Sequence, residues 1–471
     1  MHATGSAPEP PLVGTWHRSR ALAAAATLAV ALLVTSCGTD APAPTTSAAS
    51  AGAASQSFGT PAATVGDVEP APGSDSAIYE PNPAAIVVAI DPGHGGCLDW
   101  GVPDPSERGV DWAEKTLTLG IAQHLRDLLE ADGIGVVMIR DADVALAGDD
   151  YPPLGCAGPE WRDVNGDGLA GFGPDLPEAT RTRDELQARL DLANLAQADA
   201  LLSVHINAPS EGGQRIEIAF TQTFYTDETP WGPDLTQRLA ADIQDGVVAG
   251  LGEVATYDRG DRGIDAHNFY IVAPPLFETS EERPDPVKQP TRGGLMPVVL
   301  SEVGSITLRE EHDLLASAGG QAAIAGGLFD GLARFFAGRP TAARIGLADA
   351  TVGAAPVVVP GDGPPYWAPP APDEPLRLRI WNTGTEAWAA GAELIGAWEE
   401  TDQPYLRVAP EGLAPLGVEL PALEPGESTT VEVGMPDPPA GRAVAWISLE
   451  IDGESLSDLG SPALQVSSEA P

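Results

Sequence analysis

The region from about residue 84 to residue 338 alternates short apolar runs with amphipathic segments, and this alternation restricts the fold more than any other feature. Ile86–Ile90 is a continuous apolar run that ends in a glycine-rich turn, which predicts a strand buried on both faces. Leu117, Ile121 and Leu125 then recur at helical spacing between about Ala113 and Glu130. Further strands are predicted at Ile134–Ile139, Leu201–Val204, Arg215–Phe220, Phe269–Val272 and Pro297–Ser301, and helices at Asp184–Ala198, Asp234–Val248 and Glu310–Phe336. The pattern predicts an α/β domain, a largely parallel twisted sheet flanked by helices.

The charge balance excludes one class of partner. The 471 residues include 25 Lys+Arg and 68 Asp+Glu, a formal net charge of −43. A protein that binds nucleic acid through its phosphates needs a basic face, so we expect no nucleic-acid partner. An acidic surface also repels anionic polymers and anionic lipids, so attachment to a membrane would need a covalent anchor.

The first 37 residues predict export. Basic residues at 17–20 precede the apolar run Ala21–Ser36, which is short for a membrane span and typical of a signal peptide. The residues Val34–Cys37 resemble the bacterial lipobox, in which the cysteine receives the lipid. We therefore expect a lipoprotein anchored through Cys37 on the outer face of the bacterial cytoplasmic membrane. An ordinary secretory peptide cut near Ser36 is the alternative. Residues 38–83 are rich in Ala, Ser, Thr and Pro and predict a disordered linker.

Charged and imidazole side chains follow the predicted strands. His94 lies in the glycine-rich turn after the first strand, Glu114 opens the first helix, and His205 and Glu302 end later strands. The carboxyl ends of strands form the ligand crevice of open α/β sheets, so these groups can converge. Two histidines and a carboxylate are the ligands of a catalytic zinc, and a second carboxylate could act as general base. A lone histidine at a strand end is more often structural, and only the full set is specific.

The glycine-rich turn has a second interpretation as a phosphate-binding loop. No lysine follows the turn, and the spacing G-x-G-x-x-G is absent, which argues against that alternative.

Four segments together resemble the zinc-dependent N-acetylmuramoyl-L-alanine amidases of the amidase-3 family, which are bacterial cell-wall hydrolases. They are IVVAIDPGHGG (residues 86–96), AEK (residues 113–115), SVHINA (residues 203–208, preceded by the stretch 188–194), and MPVVLSEVG (residues 296–304). The resemblance implies that His94, Glu114 and His205 hold one catalytic Zn²⁺ and that Glu302 is the catalytic residue. It also implies that peptidoglycan is the substrate, cleaved between N-acetylmuramic acid and L-alanine.

The chain departs from the family pattern in three places. Ser305 and Leu308 stand where the family usually has Phe and Asn, which could change the substrate pocket. Insertions at about 144–183 and 274–295 are expected to lie beside the crevice and to narrow, lengthen or gate it.

The first insertion contains two further candidate features. Asp163, Asn165 and Asp167, followed by Gly168, match the start of a Ca²⁺-binding loop. Pro174 stands where the usual Glu would lie, so a solvated Asp/Gly-rich turn is the alternative. Cys97 and Cys156 are the thiols left once Cys37 is lipidated, and in an oxidising compartment such a pair predicts a disulfide.

The C-terminal part has a different pattern. Residues 339–373 predict a Pro/Ala/Gly linker, and residues 374–471 predict an all-β sandwich with strands at Leu376–Trp381, Leu394–Trp398, Thr429–Val433 and Ala443–Ile451. The segment Arg379–Trp388 resembles the Ig-like four-tryptophan domain of bacterial surface proteins. We expect its tryptophans to form the core, and the domain to be a spacer or a module for an unknown ligand or protein partner.

The favoured hypothesis is a zinc amidase acting on peptidoglycan. One alternative is a catalytically silent relative that binds cell-wall glycopeptide or activates another hydrolase. Another is an envelope scaffold that works through its Ig-like domain.

Overall fold

The computed structural model of the chain describes residues 85–96, 99–103, 105, 107–147, 164, 182–273, 293–348, 375–400, 412–441 and 443–467. Several predictions lie outside these residues. They are the signal peptide and lipidated Cys37, the linker at 38–83, the disulfide between Cys97 and Cys156, the calcium loop of Asp163, Asn165 and Asp167, and the expected position of the insertions at about 144–183 and 274–295, most of whose residues are not described.

Sixteen strands and five α-helices are present in the described part of the chain, together with two 3₁₀ helices at Val110–Trp112 and Tyr270–Val272. The α-helices are α1 (Glu114–Ala131), α2 (Arg183–Leu195), α3 (Pro233–Val254), α4 (Arg309–Leu315) and α5 (Ala318–Ala337). The strands of the first part are β1 (Val87–Pro92), β2 (Gly135–Met138), β3 (Ala200–Asn207), β4 (Ser210–Glu211), β5 (Gln214–Arg215), β6 (Phe220–Tyr225), β7 (Gly260–Ala266) and β8 (Val298–Ser305). Those of the second part are β9 (Ala343–Leu347), β10 (Leu376–Asn382), β11 (Glu393–Glu400), β12 (Ala414–Glu419), β13 (Ser428–Val433), β14 (Ala443–Ile451), β15 (Glu454–Ser455) and β16 (Leu464–Ser467).

The central sheet has the strand order β2-β1-β3-β8-β6-β7. All neighbouring pairs are parallel except β8 with β6, which is antiparallel. The prediction of an α/β domain with a largely parallel sheet is therefore confirmed, and the sheet is mixed. Because β6 and β7 run against the other four strands, their amino ends lie at the edge where β1, β3 and β8 end.

Helices cover both faces of this sheet. On one face, α1, α3 and α5 contribute buried residues such as Leu117, Ile243 and Phe335. The other face packs against α2 through residues such as Leu190. Helices α3 and α5 approach closely because Gly246 and Gly327 face each other, and a Cβ on either glycine would overlap the backbone of the other helix. The sheet is thus buried on both faces, as continuous apolar runs require.

Two predicted strands differ from the structure. The strand predicted at Arg215–Phe220 lies at Phe220–Tyr225, and Phe269–Val272 is mostly a 3₁₀ helix. The sequence of β6 alternates threonine with larger residues, and its buried Thr221 and Thr223 hydrogen-bond to Gln244 of α3. Buried polar side chains satisfied by one another give no continuous apolar run, which explains the misplaced boundary.

The C-terminal region is all-β, as predicted. Strands β13, β10 and β9 form one sheet, and β12, β11, β14, β15 and β16 form another. Three of the tryptophans, Trp381, Trp388 and Trp446, are buried, in agreement with a role in the core. The prediction of a linker at 339–373 was wrong for its first residues, because Ala343–Leu347 is strand β9. Its five residues are all buried, and they become a strand by pairing with β10.

The described residues all fall within one compact unit of the chain, Thr64–Pro471. Hydrogen bonds join the all-β region to the α/β domain within it. At this junction Arg339 donates hydrogen bonds to the Leu459 carbonyl at 3.0 Å and the Ser461 hydroxyl at 3.1 Å. Thr383 donates to Asp199, which directly precedes β3. The junction therefore lies at the amino ends of the parallel strands.

The helices of the described ranges do not include a membrane span. None of the helices found there combines the length and the apolar character needed to cross a bilayer.

Candidate functional site

Three side chains predicted as metal ligands lie together at the carboxyl edge of the sheet. His94 follows β1, Glu114 is the first residue of α1, and His205 lies near the end of β3. Their candidate ligand atoms are all within 4.8 Å of one another. Glu114 Oε1 is 3.2 Å from His94 Nε2 and 3.3 Å from His205 Nδ1. Residues far apart in sequence therefore present two imidazole nitrogens and a carboxylate to a common point.

Backbone amides hold the Glu114 carboxylate in place. Its Oε2 accepts a hydrogen bond from the N–H of Val102 at 2.9 Å, and its Oε1 accepts one from the N–H of Ile206 at 2.9 Å. Burial alone would raise the pKa of Glu114, but the two histidines lower it far below its usual range. Glu114 is thus an anion near neutral pH, as a metal ligand must be.

The loop that carries His94 is held by two buried arginines. Arg140 donates to the carbonyls of Pro92 at 2.8 Å and Gly93 at 2.9 Å. Arg189 donates to the carbonyl of His94 at 2.8 Å. His94 has a φ of 61°, a left-handed conformation that is uncommon outside glycine. The arginines therefore fix the backbone of a residue whose conformation other contacts must enforce.

Gly93 is required by close packing in the same loop. A Cβ at this position would lie 2.5 Å from the ring of His205, so any other residue would displace that ring.

Asp91 supports the loop without contacting the three candidate ligands through a hydrogen bond. Its carboxylate pairs with Arg189 at 2.6 Å and accepts a hydrogen bond from the Ser203 hydroxyl at 2.7 Å. Burial acts to raise the pKa of Asp91, but Arg189 and Ser203 lower it overall.

Asp99 was not singled out from the sequence. Its Oδ1 is 2.7 Å from Nδ1 of His94, on the opposite side of the imidazole ring from Glu114. Burial acts to lower the pKa of His94, but the carboxylates of Asp99 and Glu114 raise it well above 6.5. The available signal was an acidic residue five positions after the histidine, which is too common to carry a prediction.

Glu302 lies on the strand next to His205. The two residues are directly paired in the parallel register of β3 and β8. Its Oε2 atom is buried and has no hydrogen-bond partner. Burial, together with the negative charge of Glu114, raises the pKa of Glu302 to about 8. A carboxyl group with a pKa near neutrality can both accept and donate a proton, which is the requirement for general acid–base chemistry.

These groups fit a divalent metal. Imidazole nitrogens and carboxylate oxygens suit zinc and related ions, and three protein ligands leave a position for water or substrate. Beside these three groups, Oε2 of Glu302 accepts no hydrogen bond from any described side chain. It is therefore free to exchange a proton with a bound water or substrate.

Ser305 and Leu308, which depart from the family pattern, are not among the residues of the candidate metal site. Ser305 is buried, and its N–H donates to Glu311 at 2.8 Å. Leu308 directly precedes α4. The described beginning of the first insertion is tied to α2, because Glu185 Oε2 accepts the N–H groups of Leu146 and Ala147. Glu185 Oε1 also accepts a hydrogen bond from Arg189 at 2.8 Å, so residues 146–147 and the His94 loop are connected through the same glutamate and arginine.

Comparisons with known proteins identify a family for this chain. The family described as N-acetylmuramoyl-L-alanine amidase, Amidase_3, matches residues 88–334. The germination-specific N-acetylmuramoyl-L-alanine amidase of Bacillus subtilis (strain 168) is 26% identical over 251 residues, which are 53% of this chain and 79% of that relative.

Solved structures give similar coverage. The N-acetylmuramoyl-L-alanine amidase AmiC2 of Nostoc punctiforme is 22% identical over 53% of this chain and 96% of its own, with a TM-score of 0.35. An N-acetylmuramoyl-L-alanine amidase from Clostridium difficile 630 is 24% identical over 54% of this chain and 97% of its own, with a TM-score of 0.36. The family match at residues 88–334 covers more than half of the 471 residues and includes all four site residues. The chain belongs to the N-acetylmuramoyl-L-alanine amidase family.

Proposed function

We propose that this peptidoglycan amidase uses one Zn²⁺ ion, held by His94, Glu114 and His205, to hydrolyse the amide bond between N-acetylmuramic acid and L-alanine. The observation that carries the proposal is the convergence of these three side chains beside a partnerless carboxylate oxygen of Glu302. Family membership supplies the substrate, and the donor set supports the choice of metal.

When bound, the metal supplies an activated water and polarises the substrate carbonyl. The chain's own residues then have separate tasks. Glu114 and the two histidines hold the ligand geometry, and Glu302 moves the proton. Glu302 takes a proton from the attacking water and gives it to the departing alanine nitrogen. The C–N bond breaks, the lactyl group gains a hydroxyl as a carboxylic acid, and the stem peptide leaves with a free amine.

The decisive experiment replaces Glu302 by Gln. The substitution keeps the size of the side chain but removes its ability to take a proton, so we expect hydrolysis of purified peptidoglycan to fall by about 10²–10⁴-fold. Zinc content, measured by elemental analysis, should stay at one ion per chain. Glu310→Gln on α4 is the matched control, because Glu310 is an exposed glutamate near the same edge, and it should retain full activity.

Removal and return of the metal completes the test. A strong chelator should abolish release of stem peptides by the wild type, and Zn²⁺ should restore it. If Glu302→Gln stays active, the assignment of the proton carrier is wrong. If zinc-loaded wild type releases no peptide, the chain is a silent relative that binds cell-wall glycopeptide or serves as an envelope scaffold.

Three further proposals, which rest on the sequence alone, concern the anchoring of the enzyme, a calcium ion and the C-terminal domain. We propose that Cys37 carries the lipid that holds the protein at the outer face of the cytoplasmic membrane, and that the C-terminal domain is Ig-like. We also propose that Asp163, Asn165 and Asp167 bind a Ca²⁺ ion. Their support is the apolar run before Cys37, the oxygen-rich spacing of the loop and the tryptophan pattern of residues 379–388.

A further inference from the structure

We propose that Asp99 is a positioning residue, which fixes the ring of His94 so that its Nε2 atom is presented to the metal. The inference rests on the proposed zinc dependence and concerns a residue that contacts none of the reacting atoms. It is carried by the arrangement of hydrogen bonds around the imidazole ring.

The two ring nitrogens of His94 have different neighbours. Nδ1 is 2.7 Å from Oδ1 of Asp99, and Nε2 is 3.2 Å from Oε1 of Glu114. A carboxylate only accepts hydrogen bonds, so Asp99 requires the proton to be on Nδ1. With Nδ1 holding its proton, the ring nitrogen whose lone pair a metal can take is Nε2, on the side of Glu114 and His205. This is the tautomer that a metal at the three-residue site needs.

Asp99 is itself fixed in position. Its Oδ1 accepts a second hydrogen bond from the N–H of Gly101 at 3.2 Å, and its carbonyl accepts one from the N–H of Gly95 at 2.9 Å. The bond from Gly95 links Asp99 to the residue directly after His94. The carboxylate therefore keeps a constant relation to the ring that it orients.

The turn after Asp99 is pressed against two ligands. Gly101 has a φ of 63°, and a Cβ there would lie 2.5 Å from both Glu114 Oε2 and His94 Cδ2. Backbone and carboxylate of this short turn thus restrict the His94 ring from two directions. The Arg189 contact described above restricts the backbone of the same residue, so ring and backbone are held independently.

The test measures zinc affinity rather than activity alone. We expect Asp99→Ala to weaken Zn²⁺ binding by about 10–100-fold, as the loss of such a partner of a ligating histidine generally does. Asp99→Asn keeps the size and one acceptor oxygen and should lose less. The measurement is an equilibrium competition between the full-length protein and a chelating dye of known affinity.

Asp143→Asn is the matched control. Asp143 also ties down the same loop, through the N–H of Gly96 at 2.8 Å and Lys115 Nζ at 2.7 Å, but it contacts none of the three ligands. If Asp99 were merely structural, Asp99→Asn would lower the melting temperature of the metal-free protein more than Asp143→Asn does, and it would leave the zinc affinity unchanged. If Asp99 positions His94, Asp99→Asn should lower the zinc affinity, and its melting temperature should fall no further than that of Asp143→Asn.

Activity provides the second readout. Excess Zn²⁺ should restore most of the hydrolysis lost in Asp99→Ala, whereas it should not restore Glu302→Gln. Wild-type affinity in both Asp99 variants would overturn the inference and leave the proposed function intact. If the wild type binds no zinc, the proposed metal dependence fails first, and the role of Asp99 fails with it.

Discussion

The two edges of the central sheet both bury charged groups, but a carboxylate oxygen of Glu302 at the carboxyl edge, unlike the carboxylate of Asp199 at the amino edge, has no hydrogen-bond partner. At the amino edge, Asp199 accepts a hydrogen bond from the N–H of Val87 at 2.8 Å and another from Thr383, and Arg339 binds the all-β region. At the carboxyl edge, Oε2 of Glu302 is buried without a partner, and the three candidate ligands face one another. Buried polar groups that are satisfied hold structure together, whereas unsatisfied ones cost stability and mark a place reserved for a ligand or a reaction.

The largest effect on stability is expected at the amino edge, from Asp199→Ala. The substitution leaves the N–H of Val87 without an acceptor and Arg339 without its nearby carboxylate, and should cost about 3–5 kcal/mol of unfolding free energy. Urea denaturation measures the loss. Hydrolysis per folded molecule should be unchanged, because the site is at the other edge. Asp199→Asn keeps an acceptor and should cost less; equal losses in both variants would argue against this explanation.

At the carboxyl edge the comparison predicts a gain in stability. In the metal-free protein the pKa of folded Glu302 is about 8, above the value of 4.5 for an unperturbed Glu. The folded state therefore holds an extra proton between these values, and its stability falls as the pH rises from about 4.5 to 8. The side chain in Glu302→Gln does not titrate, so the variant does not lose stability in this way as the pH rises.

Denaturation of the metal-free proteins at pH 5 and pH 8 tests this sign. The variant should be the more stable protein at pH 8, by at most a few kcal/mol, and the difference should shrink at pH 5. A difference that does not change with pH would mean that the Glu302 carboxylate is stabilised in the folded state by a group not recognised at this edge.

The smallest effect is expected from Ser461→Ala, which removes one neutral acceptor from Arg339 at the domain junction. About 1 kcal/mol of unfolding free energy should be lost, with activity unchanged. Ser457→Ala in the same loop is the control, because Ser457 is partly exposed. A loss in Ser461→Ala no larger than that of the control would show that the junction does not depend on this hydrogen bond.

The sequence allowed the site to be predicted better than its supports. His94, His205 and Glu302 could be placed together because each follows a recognisable apolar strand, and the carboxyl ends of such strands meet. Asp99 and Arg140 could not, because their roles depend on which side chains the folded loops bring within hydrogen-bond distance. A single acidic or basic residue in a turn has no spacing that reveals its partner.

The elements that escaped prediction share a physical cause. Strand β9 lies in a Pro- and Gly-rich context and is a strand only because β10 pairs with it. Strand β6 buries threonines that hydrogen-bond to α3, so its apolar pattern is weak. In both cases tertiary contacts outweigh local propensity. The antiparallel direction of β6 depends on its pairing with β8. The sequence of a single strand contains no information about that direction.

The domain junction also determines how a pulling force would reach the enzyme. The chain enters the α/β domain at Ala85, whose carbonyl accepts a hydrogen bond from Arg344 at 3.2 Å, next to strand β9. From there β1 runs the depth of the sheet, roughly 20 Å, before it reaches the loop of His94. Tension applied to the chain before Ala85 would therefore load the edge reinforced by Arg344 and the all-β region, whereas the candidate metal site lies at the opposite edge of the sheet. If the anchor proposed at Cys37 holds the protein from this side, such tension would bypass the hydrogen bonds that organise the three candidate ligands.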